Sequence, residues 1–330
     1  MSSDELQQMV KGYSMPSFVA NQITDWIYKK HVRDIESMTN LSKDFRSRLS
    51  EGYQVGIKQP LECKTSVDGS KKYLFLSDGG EYIETAYIPD GDRATLCVSS
   101  QAGCKMGCKF CATAKIGFRH SLSTFDILNQ IEAVAERDRL TNIVFMGMGE
   151  PLDNFDNVLR ALNVITSKWG YAWSATKVTL STAGILPRIS DFLQKTKVNL
   201  AISLHSPFAR QREELMPIEK AYPIQEIVTL LRRYDFSHQR RLSFEYILLE
   251  GVNDSEKHLQ ALLRLLKGLS CRINIIRFNR IPSSQFFSPS MDKMILFRDT
   301  LTSHGIQTTI RKSKGEDIQA ACGLLSASRN

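Results

Sequence analysis

The sequence predicts an α/β protein in which helices cover a parallel sheet, arranged as a partial or full barrel of βα units. From about residue 93 onward, short apolar runs typical of buried strands alternate with segments of helical periodicity. Before them, two alternating segments flank Asp78-Gly79-Gly80, a sequence typical of a β-hairpin turn. The length of 330 residues favours one large domain with a small one.

Residues 1–56 are predicted to be a small basic helical module. One helix is expected to begin near Pro16 and another to cover residues 35–49, whereas the first dozen residues carry little pattern. Several Lys and Arg residues lie in and between these segments. They are compatible both with an RNA-binding surface and with an ordinary solvated helix face, and the sequence leaves the two alternatives open.

Residues 57–92 are predicted to form a hairpin extension, and residues 93–330 to form the barrel. The expected hairpin strands are 72–76 and 82–88. The expected barrel strands are 94–98, 142–146, 177–180, 199–203, 242–248, 273–278 and 308–311. The expected helices are 124–136, 153–167, 185–195, 223–234, 256–267 and 290–304. Because barrel strands end at one rim, functional residues are expected after each strand.

The charge of the chain is basic. Lys and Arg number 43 against 35 Asp and Glu, which gives a net charge of +8 and favours a polyanionic partner. No stretch approaches the roughly 20 consecutive apolar residues that span a bilayer, so no membrane partner is expected. The sequence shows no secretory signal, so we expect a cytoplasmic protein whose seven cysteines stay reduced.

Three cysteines, Cys104, Cys108 and Cys111, form a C-x3-C-x2-C triplet after the first barrel strand. Three thiolates can hold three irons of a [4Fe–4S] cluster and leave the fourth iron open, whereas clusters that only carry electrons use four cysteines. The spacing alone predicts a soft-metal site. Structural zinc is the alternative, but it needs four ligands, and His120 lies nine residues beyond the triplet.

Polar residues follow several of the other predicted strands. Each one taken singly is typical of a helix cap or, for the histidine, of a structural role. Together they predict a ring of hydrogen-bonding groups around one cavity, suited to a cofactor with ribose and carboxylate groups. The ring comprises Ser181, Ser203, His205 and Asn279. After the strand predicted over residues 142–146, the glycines Gly147 and Gly149 would let the backbone approach a ligand closely, and Glu150 could accept from an ammonium group.

Two further cysteines stand apart from the triplet. Cys97 lies inside the first barrel strand, and Cys322 lies near the C-terminus before a glycine, in a segment of small residues that could expose its thiol. Free cysteine is most often a small buried apolar residue, and that interpretation is kept for Cys63 and Cys271.

With these motifs in place, the chain resembles the RlmN/Cfr family of radical S-adenosylmethionine (SAM) RNA adenine methyltransferases, and its RlmN branch most closely. The resemblance extends over nearly the whole length. It implies a partial (βα)6 TIM-type barrel of the radical SAM kind, with an N-terminal RNA-binding domain. The matching runs are residues 22–30, 38–43, 83–85, 92–101, the cysteine triplet, 146–151, 180–182, 203–205, 311 and 317–323.

The resemblance also implies a role for each candidate residue. Cys104, Cys108 and Cys111 would bind one [4Fe–4S] cluster. The residues that contact SAM would be Gly149, Glu150, Ser181, Ser203, Leu204, His205 and Asn279. Cys322 would be methylated and would carry the one-carbon unit, Cys97 would be the resolving cysteine, and Glu84 would accept the proton from the base.

The implied reaction is methylation at carbon 2 of adenine 2503 in 23S rRNA and of adenine 37 in tRNAs, with two SAM molecules per turnover. Carbon 8 of the same rRNA adenine is the Cfr-like alternative. A radical SAM enzyme with a non-RNA substrate and a non-catalytic RNA-binding protein with a structural metal are the rival classes. An electron donor such as flavodoxin or ferredoxin is an expected partner, and the enzyme is expected to be a monomer.

Overall fold

The structure, a computed structural model, describes residues 1–238, 240–281 and 284–326. Its strands are β1 (Glu62–Thr65), β2 (Lys71–Leu76), β3 (Tyr82–Asp90), β4 (Arg93–Cys97), β5 (Gln101–Ala102), β6 (His120–Ser121), β7 (Asn142–Phe145), β8 (Val178–Thr182), β9 (Asn199–Ser203), β10 (Leu242–Leu248), β11 (Arg272–Arg277) and β12 (Gln307–Arg311). Its α-helices are α1 (Ser3–Gly12), α2 (Phe18–Tyr28), α3 (Lys43–Gly52), α4 (Ala112–Ile116), α5 (Thr124–Glu132), α6 (Phe155–Thr166), α7 (Leu186–Lys195), α8 (Ala209–Leu215), α9 (Ile224–Leu231), α10 (Glu256–Leu266) and α11 (Met291–Ser303).

One large sheet organises the molecule, in the order β1–β2–β3–β4–β7–β8–β9–β10–β11–β12. The first four strands pair antiparallel, and β4 to β12 pair parallel. Helices connect the parallel strands, so six βα units are followed by a last strand. The α/β prediction, with a mostly parallel sheet and a helical N-terminal region, is confirmed.

The two edges of the sheet curl toward each other. The guanidinium of Arg311 on β12 reaches the sulfur of Met146, just after β7, at 3.1 Å. The hydroxyl of Ser66, between β1 and β2, donates to the carboxylate of Asp317, beyond β12, at 2.6 Å. The sheet therefore has an inner face that encloses a space, and the hairpin strands extend its wall.

The core of the barrel consists of the apolar strand residues. Ile143, Val178, Leu180, Leu200 and Ile202 are fully buried. Their parallel strands are covered by helices on the outside, which is why β7 and β9 are nearly continuous apolar runs, whereas β8 alternates apolar and polar residues. No helix among the described residues is long and apolar enough to cross a membrane.

The N-terminal region differs from the sequence prediction in two ways. Residues 3–12, which showed little pattern, form α1, because Ser2 and Glu5 make a reciprocal capping box. The predicted helix over residues 35–49 is wrong in its first half, since the helix begins only at Lys43. Ser42 caps that helix by accepting from the N–H of Phe45, and the chain before it turns.

Candidate active site

The cysteine triplet lies in the loop between β4 and α4. Cys111 directly precedes α4, and its N–H donates to the carbonyl of Cys108 at 3.2 Å. The base of the loop is closed where the N–H of Cys104 donates to the carbonyl of Gly117, also at 3.2 Å. A Cβ atom on Gly103 would lie 1.7 Å from that carbonyl oxygen. Glycine is therefore required for the tight loop that gathers the cysteines.

The three thiols of this loop are partly buried and lie close enough to influence one another. Burial raises the pKa of Cys104 to about 12 and that of Cys108 well above its usual value, and neighbouring thiols raise both further. Cys108 and Cys111 pack against an apolar group that includes Phe110. The thiols of Cys104 and Cys108 therefore stay protonated until a bound cation displaces their protons.

The donor set fits an iron–sulfur cluster better than a single ion. Among residues 1–238, 240–281 and 284–326, no three His, Cys, Asp or Glu side chains converge on one metal ion. Zinc draws its ligands to about 2.0–2.3 Å, whereas each cysteine of a cluster binds a different iron. Three separated thiols in one apolar-backed loop match the second arrangement.

Glu150 lies at the carboxyl end of β7 with a buried carboxylate. This carboxylate accepts from the N–H of Leu152 at 3.0 Å, from the hydroxyl of Thr182 at 2.7 Å and from the N–H of Ala183 at 2.7 Å. Burial raises the pKa of Glu150 to about 7, although these bonds lower it. In the described part of the chain, no Lys, Arg or His forms an ion pair with it. Glu150 is therefore suited to a cationic ligand group.

The glycines before Glu150 let two loops pack together. A Cβ atom on Gly149 would lie 2.5 Å from the Cβ of Gln101, and Gly149 has a φ of +97°. A Cβ atom on Gly147 would lie 2.7 Å from the hydroxyl oxygen of Ser99. The sequence suggested that glycines here serve the approach of a ligand. The structure shows that they first serve the approach of the cysteine-bearing segment.

His205 follows β9 and is held in one orientation. Its φ of +54° is uncommon for a residue with a side chain, and its Nδ1 accepts from the N–H of Ile247 at 3.0 Å. Its ring meets that of Phe110 edge-on at 4.6 Å. Burial lowers the pKa of His205 to about 3, and Arg212 adds to this. The ring is therefore neutral, with its proton on Nε2, and is not a base.

Sequence reasoning missed Arg212, a fully buried residue on α8. Its guanidinium donates to the carbonyls of Ala183 and Ser203 at 2.8 Å and of Leu204 at 3.0 Å. It also pairs with the buried carboxylate of Glu219. Arg212 thus ties the ends of β8 and β9 together. Arg212 was missed because the helix that carries it, α8, follows the strand ending in Ser203 and was not among the helices predicted from the sequence.

Ser181 and Ser203, the other polar residues of the ring, are partly buried on neighbouring strands, whereas Leu204 is fully buried. The register of β8 and β9 sets Ser181 opposite Ala201. The structure therefore brings Ser181, Ser203, Leu204 and His205 to adjoining strand ends beside the cysteine loop.

Glu84 and Cys97 lie on adjacent strands with inward-facing side chains. Cys97 on β4 pairs with Ala86 on β3, so Glu84 is two residues away on the same face, a diagonal of about 7–8 Å. The carboxylate of Glu84 pairs with Lys72 at 2.9 Å and accepts from the N–H of Ser326 at 2.8 Å. Both oxygens of the predicted proton acceptor are therefore engaged in this conformation.

Cys322 is carried by a strap, residues 320–326, that crosses the inner face without regular secondary structure. The carbonyl of Cys322 accepts from the amide of Asn279 at 3.3 Å, and that of Gly323 accepts from the N–H of Ala112 at 2.8 Å. The carbonyl of Leu325 accepts from the hydroxyl of Thr113 at 2.7 Å. The strap is therefore attached to helix α4, which begins at the last cysteine of the triplet.

Cys97 packs against Ala320, two residues before Cys322, and the two thiols lie close enough for Cys322 to influence Cys97. Burial raises the pKa of Cys97 to about 12, and Cys322 adds to this. The side chain of Cys322 reaches solvent, yet the surrounding protein raises its pKa to about 11. Both properties fit a thiol at the floor of an open cleft. The structure thus brings together Cys97, Cys322, Glu84 and the triplet.

Comparison with known proteins gives a consistent family. The Radical SAM superfamily model matches residues 98–263, and the Ribosomal RNA large subunit methyltransferase N-terminal domain model matches residues 1–55. A Bacteroides fragilis protein named "Probable dual-specificity RNA methyltransferase RlmN" is 54% identical over 329 residues, covering 100% of this chain and 96% of the relative.

Two further comparisons agree. The "Dual-specificity RNA methyltransferase RlmN" of Syntrophobacter fumaroxidans is 42% identical over 327 residues, covering 98% of this chain and 96% of the relative. The crystal structure of a radical SAM methyltransferase from Sphaerobacter thermophilus superposes with a TM-score of 0.92 at 38% identity, covering 99% of this chain and 98% of that one.

Proposed function

Because the chain belongs to the RlmN family of radical SAM RNA methyltransferases, we propose that it methylates carbon 2 of adenine 2503 in 23S rRNA and of adenine 37 in tRNAs. The observation that carries the proposal is the gathering of Cys322, Cys97 and Glu84 beside the cysteine triplet. The names of the relatives support dual specificity for RNA. They do not favour methylation at carbon 8, and membership of the family argues against a non-RNA substrate.

Membership of the radical SAM superfamily implies a [4Fe–4S] cluster and SAM. We assign the cluster to Cys104, Cys108 and Cys111, whose three thiolates leave one iron without a protein ligand. When bound, the cluster supplies the one-electron reduction of SAM that permits removal of a hydrogen atom from an unactivated C–H bond.

The polar ring at the strand ends is assigned to SAM. Glu150 has a buried carboxylate with no partner cation, so it would accept from the ammonium group of the methionine part. His205, neutral with a proton on Nε2, would donate a hydrogen bond. The remaining contacts are assigned to Gly149, Ser181, Ser203, Leu204 and Asn279.

Cys322 is assigned as the methyl carrier, because carbon 2 of adenine is electron-poor and does not attack the methyl group of SAM. The Cys322 thiolate forms a bond to that methyl carbon as the sulfur–methyl bond of SAM breaks. A second SAM is consumed in removing one hydrogen atom from the new thioether. After the carbon has joined the base, the ring gives up its proton, and one electron would return to the cluster. The Cys97 thiolate then attacks the sulfur of Cys322, the sulfur–carbon bond breaks, the released carbon takes up a proton to become a methyl group, and a disulfide forms.

Glu84 is assigned as the acceptor of the ring proton. Its place two residues along β3 from the partner of Cys97 supports this assignment. For a proton to be accepted, at least one oxygen must be released from Lys72 or from the N–H of Ser326. A shift of the strap when RNA binds would release the second contact and leave Lys72 to stabilise the carboxylate.

The roles of the three segments of the chain and the partners of the enzyme are part of the same proposal. We assign RNA recognition to residues 1–56, the hairpin extension to residues 57–92 and the chemistry to residues 93–330. The net charge of +8 suits an RNA substrate. The reaction needs a one-electron donor such as flavodoxin or ferredoxin, and we propose a monomer acting in the cytoplasm, where both RNA substrates lie.

The test is the reaction of the anaerobically reconstituted enzyme with methyl-deuterated SAM and unmodified 23S rRNA or tRNA. Mass spectrometry of the nucleosides should reveal labelled 2-methyladenosine, and the Cys322→Ala variant should form none. Labelled 8-methyladenosine would overturn the carbon-2 assignment. Deoxyadenosine formation without any methylated adenine would contradict RNA methylation and leave only the cofactor assignment.

A further inference from the structure

A polar network lies on the inner face of β10, β11 and β12. The buried carboxylate of Glu245 accepts from the hydroxyl of Ser243 at 3.2 Å and from the amide of Asn274 at 2.8 Å. The hydroxyl of Thr309 donates to the other end of that amide at 2.8 Å. These bonds hold Glu245 from its own strand and from Asn274 on β11, which Thr309 on β12 holds in turn, so its position is fixed.

Arg311 joins this network to the two cysteines. Its guanidinium lies 3.4 Å from the carboxylate of Glu245 and 3.1 Å from the sulfur of Met146. Although burial opposes its charge, the carboxylate and the thiols of Cys97 and Cys322 keep the pKa of Arg311 above its ordinary value. The side chain of Met146 packs in one group with Cys97 and with Ala320, which lies two residues before Cys322. The guanidinium therefore lies between an anchoring carboxylate and the segments that carry the two cysteines.

Arg311 provides the positive charge at this point of the barrel. In the described part of the chain, the titratable groups that act on Cys322 are Arg311, Glu245 and Cys111, and those that act on Cys97 are Cys322 and Arg311. Of these groups only Arg311 favours a thiolate. The effect of Arg311 on Cys322 is larger than the opposing effect of Glu245.

We propose that Arg311, anchored by Glu245, is a positioning residue that stabilises the Cys322 thiolate for attack on the methyl group of SAM. This inference rests on the proposed role of Cys322 as the methyl carrier. The thiol proton passes to water, the sulfur–carbon bond forms, and S-adenosylhomocysteine leaves as the sulfonium–carbon bond breaks. The planar guanidinium can contact the carboxylate and the sulfur together, and lysine can supply only the charge.

The experiment measures the reactivity of Cys322 without SAM or RNA. Cluster-loaded enzyme is treated anaerobically with iodoacetamide between pH 7 and 10, and mass spectrometry of the C-terminal peptide gives the alkylation rate of Cys322. The variants are Arg311→Gln and Arg311→Lys. Arg277→Gln is the matched control, because Arg277 lies on the adjacent strand with an exposed side chain and loses the same charge.

We expect Arg311→Gln to slow alkylation at pH 8 by about tenfold or more, the effect of one unit of thiol pKa, and to move the pH profile upward. Arg311→Lys should recover most of the rate, and Arg277→Gln should match wild type. A rate in Arg311→Gln within twofold of wild type, with an unchanged pH profile, overturns the proposal.

Folding of the variants is checked separately, because Arg311→Gln leaves the charge of Glu245 without its partner. If that variant does not fold, the double variant Arg311→Gln/Glu245→Gln is used in the alkylation experiment instead. It should also slow alkylation, since Arg311 outweighs Glu245 in its effect on Cys322. A double variant as reactive as wild type refutes the role. The readout involves no methylated RNA, so failure of the proposed function would leave this result unaffected.

Discussion

Replacing Glu150 by Gln should change the way in which the stability of the protein depends on pH. Burial raises the pKa of Glu150 from 4.5 to about 7. At a pH between 4.5 and 7, Glu150 therefore keeps its proton in the folded protein but has lost it in the unfolded chain. The stabilisation is fully present below about pH 4.5 and is lost as the pH rises through 7.

The size of this effect follows from the shift. About 2.5 units at 1.36 kcal/mol per unit give roughly 3 kcal/mol over the full range, and about 2 kcal/mol of it falls between pH 5.5 and 8. At about 2.1 cal/mol/K per residue, unfolding of the chain has an entropy of roughly 0.7 kcal/mol/K. The expected change in Tm is therefore about 3 °C.

The assay compares the Tm of wild type and Glu150→Gln at pH 5.5 and at pH 8. Both proteins carry the cluster, contain no SAM, and are heated anaerobically at one scan rate. Relative to the variant, wild type should lose about 3 °C between the two pH values. The other titratable groups are the same in both proteins, so their contributions cancel when the two Tm values are subtracted at each pH.

Glu136→Gln is the matched control for this experiment. Glu136 is also buried, but its bonds to Lys71 and Tyr73 overcome burial and lower its pKa. The stabilisation that Glu136 provides is present above its unfolded pKa of 4.5 and is lost only in acid. The difference in Tm between wild type and Glu136→Gln should therefore be constant from pH 5.5 to 8. If the difference in Tm between wild type and Glu150→Gln is equally constant, the view that this carboxylate is buried without a cationic partner is refuted. Saturating SAM should abolish the trend.

Three further predictions follow from the geometry of the site. Arg212→Met leaves Glu219 buried without its partner and should lower the free energy of unfolding by about 3–5 kcal/mol in urea titrations; a loss below 1 kcal/mol would contradict this. Gly149→Ala forces a Cβ atom against Gln101 at 2.5 Å, so iron content per chain and SAM affinity should both fall, and wild-type values would count against it. Asn279→Ala should speed hydrogen exchange in residues 320–326, and unchanged exchange would show that its bond to the strap is unimportant.

The strands β7 and β9 could be predicted because each is a short apolar run buried on both faces, and β8 and β11 could be predicted from their alternating apolar and polar residues. The helix α1 was missed although its sequence carries two signals, the capping-box pattern of Ser2 and Glu5 and the helical spacing of Leu6, Met9 and Val10. The pattern spans only ten residues, which made it easy to overlook. The first half of the predicted second helix failed for a related reason. Helical spacing of apolar residues continued upstream of Ser42, but the cap at Ser42 begins the helix there.

The site was predictable where its residues are neighbours in sequence, as in the cysteine triplet. The proximity of Glu84 to Cys97 depends on the register of β3 against β4, which a sequence pattern does not give. The ion pair of Glu84 with Lys72 depends on the hairpin as well. Arg212 escaped notice because α8 was not recognised, and because a buried arginine reads as a surface residue until its partners are known.

The attachment of the strap to helix α4 couples two requirements of the enzyme. Gly323 and Leu325 bond to the first turn of the helix that begins after Cys111. A cluster bound by the triplet would hold this loop, and the strap that bonds to α4 would be held with it. Cys322 would therefore keep one position relative to the cluster on which its own reaction depends.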